Sequence, residues 1–410
     1  MTISPDIDRY TIITADSHAG GSHAQYREYL DPKYRDDFDA WRGKYRNPFK
    51  DLKDDRRQRN WDSARRWNEQ ESDGVVAEVI FPNTVPPFFP SFVLFAQPPS
   101  PEDYEHRHAG VLAHNRWLVD FVNEAPDRRA GIGQIFLNDI DDAIADAIWC
   151  KENGLRGGVL IPNVPPDVKW VKPLYDPDYD RLWKVLEELE IPVNVHGGTG
   201  APDYGAYPFS MLLYINEVGF YSQRPFVHMV LGGVFARFPK LKFVITETGC
   251  SWVPELLDRL DRIIVQIRDT GATGEIRYTD ANFLDLTATE CFRQNVWMGV
   301  SQPGPDDIAA RHVLGPDRFM WGNDYPHDEG TYPFTRENLR ALFHDMAPAE
   351  LHDILAGNAA KLYDFDLGKL APLGREFGPT FDELAQPLLT LPDNPNGALV
   401  RAAGGRDLIT

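Results

Sequence analysis

Eight short apolar runs, each parted from the next by a longer helical or irregular stretch, limit what this chain can fold into. They are YTIITAD (10–16), GVVAEVIFP (74–82), GIGQIFL (131–137), RGGVLIP (156–162), IPVNVH (191–196), LKFVITE (241–247), NVWMGVS (295–301) and RFMWGND (318–324). Most are near-continuous rather than alternating, the pattern of parallel strands covered on both faces. Between them DDAIADAIWCKENG (141–154), DYDRLWKVLEELE (178–190) and VPELLDRLDRIIVQIRD (253–269) carry apolar residues at helical spacing. This alternation admits a doubly wound sheet or an eight-stranded barrel. A dinucleotide-binding sheet needs GxGxxG after its first strand, and DSHAGGSHAQY lacks it. The expectation is an α/β TIM-like (β/α)8 barrel over 1–366. Residues 21–73 form a lid-like insertion between its first strand and first helix. The Pro- and Gly-rich residues 367–410 form a C-terminal extension, read as a tail or arm.

Composition narrows the partners. Among 410 residues the net charge is −20 without basic blocks, a poor basis for binding nucleic acid or an anionic membrane. No apolar run approaches the roughly 20 residues that span a bilayer. The N-terminus MTISPDIDRY is polar and acidic, unlike a signal peptide. The three cysteines, Cys150, Cys250 and Cys291, are far apart and form no CxxC. That spacing suits a reducing compartment, and the expected location is the cytoplasm.

Side chains at the C-terminal ends of barrel strands converge on one mouth. Strand one ends in Asp16 and His18, whose i, i+2 spacing puts both on one face of an extended chain. Strand five ends in His196, strand six in Glu247, and strand eight in Asp324 with His327 three residues on. Alone, each has a plainer reading: a lone His after a strand is usually a hydrogen-bonded structural residue. Together Asp16, His18, His196 and Asp324 form an oxygen–nitrogen set suited to zinc, or to manganese and similar ions. Such a centre lowers the pKa of a bound water from 15.7 to about 7. Asp324 could then serve as ligand and proton shuttle.

Five motifs, TADSHAGG, IPVNVHGG, FVITETGCSWVP, MWGNDYPH and ILAGNAAKLYDFD, resemble the amidohydrolase superfamily over about residues 10–366. The resemblance is to its amidohydrolase-related branch, which includes aminocarboxymuconate semialdehyde decarboxylase and the hydroxybenzoate decarboxylases. It implies one divalent metal ion, zinc by preference with manganese also used, held by Asp16, His18, His196 and Asp324. It also implies a small-molecule substrate and a homodimer or homotetramer. One position departs. The decarboxylases of this branch carry His-x-Gly after strand six, where this chain has Glu247 in ETG. An ionised carboxylate there would repel a substrate carboxylate, whereas a protonated one would donate to it.

The leading expectation is nonoxidative decarboxylation of a small aromatic or unsaturated carboxylic acid, with Asp324, Glu247 and His196 catalytic. The alternative is hydrolysis of an amide, ester, lactone or cyclic carbonyl compound, which the Glu247 departure favours. A non-catalytic binding protein on a degenerate barrel is the third reading, and the complete ligand set weighs against it. Substrate contacts are expected from His327, from Trp252 and from Phe88 in the aromatic run 82–92, each balanced against simple packing. Trp321 has the same two readings. His228 is expected to be packed, and His23 to be a loop residue within reach of the mouth. His106, His108 and His114 are expected on a solvated helix face, and Arg65 and Arg66 at the surface.

Overall fold

The eight expected strands all form, and they are hydrogen-bonded in sequence order in one parallel sheet. A computed structural model of the chain describes residues 8–45, 55–91, 96–278 and 285–405. The strands are β1 (Ile13–Ala19), β2 (Ala77–Pro82), β3 (Arg129–Gln134) and β4 (Gly158–Leu160). They continue as β5 (Val193–His196), β6 (Phe243–Thr246), β7 (Val296–Ser301) and β8 (Phe319–Gly322). The sheet closes just beyond β8. There the amide of Asp324 donates to Asp16 O at 3.0 Å, and the amide of His18 donates to Tyr325 O at 2.7 Å. The result is a TIM-like (β/α)8 barrel.

Two apolar layers hold it. Ala77, Val79, Phe81, Ala130, Ile132, Leu160, Val244 and Met320 fill the interior. Ile80, Val159, Val193, Phe243, Ile245 and Val300 face outward and pack under the covering helices. This double burial explains why the strands read as continuous rather than alternating runs.

The first strand departs from expectation in a useful way. It begins at Ile13 rather than Tyr10 and runs through Ala19, so Asp16 and His18 lie inside it. Its pairing with β2 gains one residue between Thr14 and Ser17. Ile13 and Ala15 join the interior cluster; after the bulge, Asp16 and His18 also face inward, toward Gly322 and Phe81. A bulge switches which face successive side chains occupy. Without it, Asp16 and His18 would point at the helices.

Residues between β1 and β2 carry the helices His23–Tyr29, Arg35–Lys44 and Ser63–Ser72. The third covers the barrel wall. From it Arg66, fully buried rather than at the surface, reaches Glu78 of β2 and the carbonyl of His18. Arg65 is half-buried beside Glu69. The reading of three histidines as one solvated face also fails on the helix Tyr104–Asn123. His106 is exposed, but His108 bonds Asp146 at 2.7 Å and His114 is buried against the Tyr26 hydroxyl. Their charged neighbour Arg107 is itself buried, so adjacency misleads there.

The C-terminal extension is no free arm. It folds as the helices Leu367–Phe377, Phe381–Leu384 and Gly397–Ala402, burying Leu370, Leu384 and Leu399. The amides of Tyr10 and Phe381 exchange bonds between the N-terminal segment and this region. Asn396 donates to Gly330 O in the loop after β8. Residues 1–7 and 406–410, and the last residue of the aromatic run, 92, lie outside the described residues.

Candidate metal centre

Ligand atoms of Asp16, His18 and His196 meet at the C-terminal mouth of the barrel with Glu247 beside them, and Asp324 reaches the group at His18. His18 Nε2 lies 3.3 Å from Asp16 Oδ1 and 3.2 Å from Asp324 Oδ1, and His196 Nε2 lies 3.5 Å from Asp16 Oδ1. All four side chains are buried. Asp16 Oδ1, His18 Nε2 and His196 Nε2 have no hydrogen-bond partner, a costly state for three adjacent buried polar atoms. Atoms about 2.1 Å from a shared tetrahedral ion stand roughly 3.4 Å apart. The separations among Asp16, His18 and His196 match that edge, so these three fit a divalent metal, and Asp324 adjoins them through His18.

The other atoms of the set are held in place. His196 Nδ1 lies 3.0 Å from Gly197 O and His18 Nδ1 3.3 Å from Pro82 O, leaving each Nε2 to face the centre. Metal-binding imidazoles are typically oriented this way. Ser301 Oγ donates to Asp16 Oδ2, and Gln302 Nε2 donates to Asp324 Oδ2. His327 Nδ1 lies 2.7 Å from Asp324 Oδ1, while its Nε2 lies 3.0 Å from Asn83 Oδ1. Its ring packs 4.2 Å from that of His18.

Electrostatics follow from this crowding. Burial alone would raise the Asp16 carboxyl, but His18 and His196 outweigh it and hold the group far below the usual carboxylate range. Asp324 is likewise lowered: burial is opposed by His327 and His18. Glu247 goes the other way. Burial, reinforced by Asp324, raises it well above an ordinary glutamate, and His196 only partly opposes this. Its Oε2 lies 3.3 Å from His196 Nδ1, so it borders the centre. Burial would lower His327, but the charge and hydrogen bond of Asp324 lift it well above an ordinary histidine.

Three residues at this rim have left-handed backbone: Glu247 with φ 56°, Gln302 with φ 44° and Asp324 with φ 56°. Each follows the end of β6, β7 or β8 by one or two residues. Non-glycine residues seldom adopt this conformation, and such strain gathers where a side chain must be aimed. Gly322 serves the same purpose by close approach. A Cβ there would lie 2.7 Å from the Asp16 Cβ and 2.9 Å from Ser301 Oγ.

The sequence-derived set is thus brought together for Asp16, His18, His196, Glu247, Asp324 and His327. Phe88 is not brought in. Its ring packs on Phe38, Trp41 and His106, and its neighbour Phe89 lines the mouth instead. Trp252 turns its Nε1 to Thr248 O and Gly249 O, bracing the loop after β6. Trp321 lies in β8 and packs outward under the helices. His23 opens a helix, and its Nε2 contacts Val85 O. Sequence reasoning missed Ser301, Gln302 and Asn83. The polar pair Ser301-Gln302 ending an apolar run was the available signal for the first two; Asn83 had none.

A barrel with one buried Asp/His/His/Asp centre at its C-terminal mouth belongs to the metal-dependent hydrolase and lyase barrels as a class. Residues 61–365 match the family model described as amidohydrolase, and the chain belongs to that family. The matched span contains His196, Glu247 and Asp324, while Asp16 and His18 precede it. Solved structures share the fold at low identity. One is 5-carboxyvanillate decarboxylase from Sphingomonas paucimobilis, with 20% identity and TM-score 0.63 over 87% of this chain and 100% of that one. Another is 5-carboxyvanillate decarboxylase from Novosphingobium aromaticivorans, complexed with manganese and 4-hydroxy-3-methoxy-5-nitrobenzoic acid. It has 18% identity and TM-score 0.64 over 88% and 100%. A third is a dihydroxybenzoic acid decarboxylase from Polaromonas, with bound manganese and 2-nitroresorcinol. It has 17% identity and TM-score 0.58 over 87% and 97%.

Proposed function

We propose that this protein is a metal-dependent nonoxidative decarboxylase of a small aromatic or unsaturated carboxylic acid. The observation that carries the reading is the cluster of orphaned ligand atoms on Asp16, His18 and His196, closed by Asp324. It stands in a family member whose fold is shared with aromatic acid decarboxylases. A divalent ion held by these four residues would supply a Lewis-acid anchor for substrate oxygens. Zinc and manganese both suit two imidazoles and two carboxylates; the manganese of two similar structures favours testing it first.

The chain's own residues account for the proton. Loss of carbon dioxide leaves an electron pair on the substrate carbon, which must take up one proton. Asp324 and His327 share a hydrogen bond of 2.7 Å, and Asn83 holds the far side of the imidazole. We assign His327 as the proton reservoir and Asp324 as the group that passes the proton to carbon. Glu247, whose carboxyl is raised by burial and by Asp324, is placed to donate to a substrate oxygen instead of repelling it. His196 orients Glu247 as well as binding metal.

Hydrolysis is the second reading, favoured by Glu247 standing where related decarboxylases carry His. Carbon dioxide release over hydroxybenzoates and carboxymuconate-type acids, run beside an ester, lactone and amide panel with zinc- and manganese-loaded protein, tests both. Turnover confined to the second panel overturns decarboxylation. We take residues 1–366 as the catalytic unit and 21–73 as cover for its mouth. Among the described residues no helix is long and apolar enough to cross a membrane. Self-association is supported by apolar side chains exposed around the helix Ser210–Leu231, among them Phe209, Leu212 and Phe220.

A further inference from the structure

A second group of unsatisfied polar atoms lies around the loop that leaves His196 and is not used by the chemistry above. The loop leaving His196 runs through Gly198–Ala201 and forms one wall of a cavity. The ends of β3 and β4 and the helix Tyr104–Asn123 form the others. Arg107, Gln134 and Asn163 line this cavity, and each is more than nine-tenths buried. Arg107 Nη1 donates to Gln97 O at 2.8 Å, but its Nε has no partner. Both side-chain atoms of Gln134 and the Oδ1 of Asn163 are also unpartnered. Among the described residues no carboxylate forms an ion pair with Arg107. Its guanidinium sits 4.3 Å from the Phe89 ring centroid and 5.5 Å from that of Phe136.

A buried guanidinium with no ion pair in contact, its charge met only by Asp103 one turn away, is costly, and so are buried amides without partners. Native interiors rarely keep several such groups together unless water, an ion or a ligand completes them. The chemistry is specific. A guanidinium and the NH2 group of Gln134 present donors to an anionic oxygen group. The near-parallel rings of Phe89 and Phe136, centroids 5.9 Å apart, supply an apolar wall for a planar body. Tyr214 closes the far side, its hydroxyl bonded to Gly198 O.

We infer that this cavity is a specificity subsite in which Arg107 and Gln134 hold a second anionic oxygen group of the substrate, distal to the group at the metal centre. Resting on the proposed decarboxylase reading, this narrows the substrate class to planar acids with two acidic groups. Arg107 is the specificity-determining residue. Gln134 and Asn163 take the remaining oxygen contacts, directly or through water.

Binding, rather than turnover, tests this separately from the reaction. Metal-loaded protein is titrated calorimetrically with benzoate, with benzene-1,3-dicarboxylate and with 3-sulfobenzoate. Both two-acid probes are expected to bind at least ten-fold more tightly than benzoate. Arg107→Met and, independently, Gln134→Leu should reduce that preference to two-fold or less while leaving benzoate affinity unchanged and without lowering the melting temperature. Arg107→Lys should restore part of it. Equal affinities in the unmodified protein, an unchanged preference in both variants, or no binding of any probe overturns the subsite. Failure of carbon dioxide release with the preference intact instead overturns the decarboxylase reading alone.

Discussion

Replacing Glu78 by Gln should be among the most destabilising single changes in this barrel, and its cost can be worked from the structure. Glu78 is fully buried between β2 and the helix Ser63–Ser72. Its Oε2 accepts from Arg66 Nη2 at 2.5 Å, Gln70 Nε2 at 3.0 Å and Ser17 Oγ at 3.0 Å; its Oε1 accepts from Arg129 Nε at 3.2 Å. Burial pushes its carboxyl up, but Arg66 and Arg129 outweigh that and bring it from 4.5 to about 2. At about 1.4 kcal/mol per pH unit this difference is worth about 3 kcal/mol. Glutamine keeps the shape and removes the charge, leaving two buried guanidiniums short of a counter-ion. Breaking such a pair from one side costs about 3–5 kcal/mol. The two figures agree. Because the folded pKa is depressed, the stabilisation is complete above about pH 4.5 and is lost as pH falls toward 2. Urea unfolding at several pH values should therefore show a loss of about 3–5 kcal/mol at pH 7 that shrinks in acid. Arg66 also donates to the carbonyl of His18, so metal affinity should fall about 10–100-fold. A loss below about 1 kcal/mol at pH 7, as for an exposed pair, would refute the reasoning.

Asp16→Asn combined with His196→Ala should reduce metal content from one ion per chain to near zero by elemental analysis. Circular dichroism should stay barrel-like, since the interior apolar cluster is untouched. Asp324→Asn keeps an oxygen toward His18 and should retain much of the metal while lowering turnover roughly 10²–10⁴-fold; unchanged activity would remove its proton role. Asp73 is buried with both oxygens accepting from the Thr335 amide, and burial raises its carboxyl to about 7. A raised folded pKa means that this group's protonated form is favoured on folding, so stability drains away as pH rises from about 4 to 7. Asp73→Asn should thus raise the melting temperature at pH 8 by several degrees and have no benefit at pH 4. A gain of the same size at both values would exclude this cause.

Family and reaction centre were legible from residues at strand ends because a parallel barrel turns chain order into position. Each continuous apolar run had to be a buried strand, and each polar residue after it had to face the mouth. That logic found His196, Glu247, Asp324 and His327. It did not separate wall from packing for Phe88 and Trp252, which pack in the folded chain or brace the loop after β6. In the folded chain Phe88 meets the helices Arg35–Lys44 and Tyr104–Asn123, distant in sequence. It failed for Arg66 as well, because a buried arginine is recognisable only through its carboxylate partner, here Glu78.

The sequence by itself determined the alternation of strand and helix, the four candidate ligands and the amidohydrolase likeness, since these depend on residue type and spacing along one chain. Only the tertiary structure decided how those residues are aimed. The bulge that turns Asp16 and His18 inward, the left-handed backbone of Glu247, Gln302 and Asp324, and the burial that raises Glu247 all arise from contacts between separate strands. So does the cavity around Arg107, whose unpaired atoms come from two strand ends and a helix. Spacing along a chain reports which groups share a strand end; desolvation and orientation depend on everything packed around them.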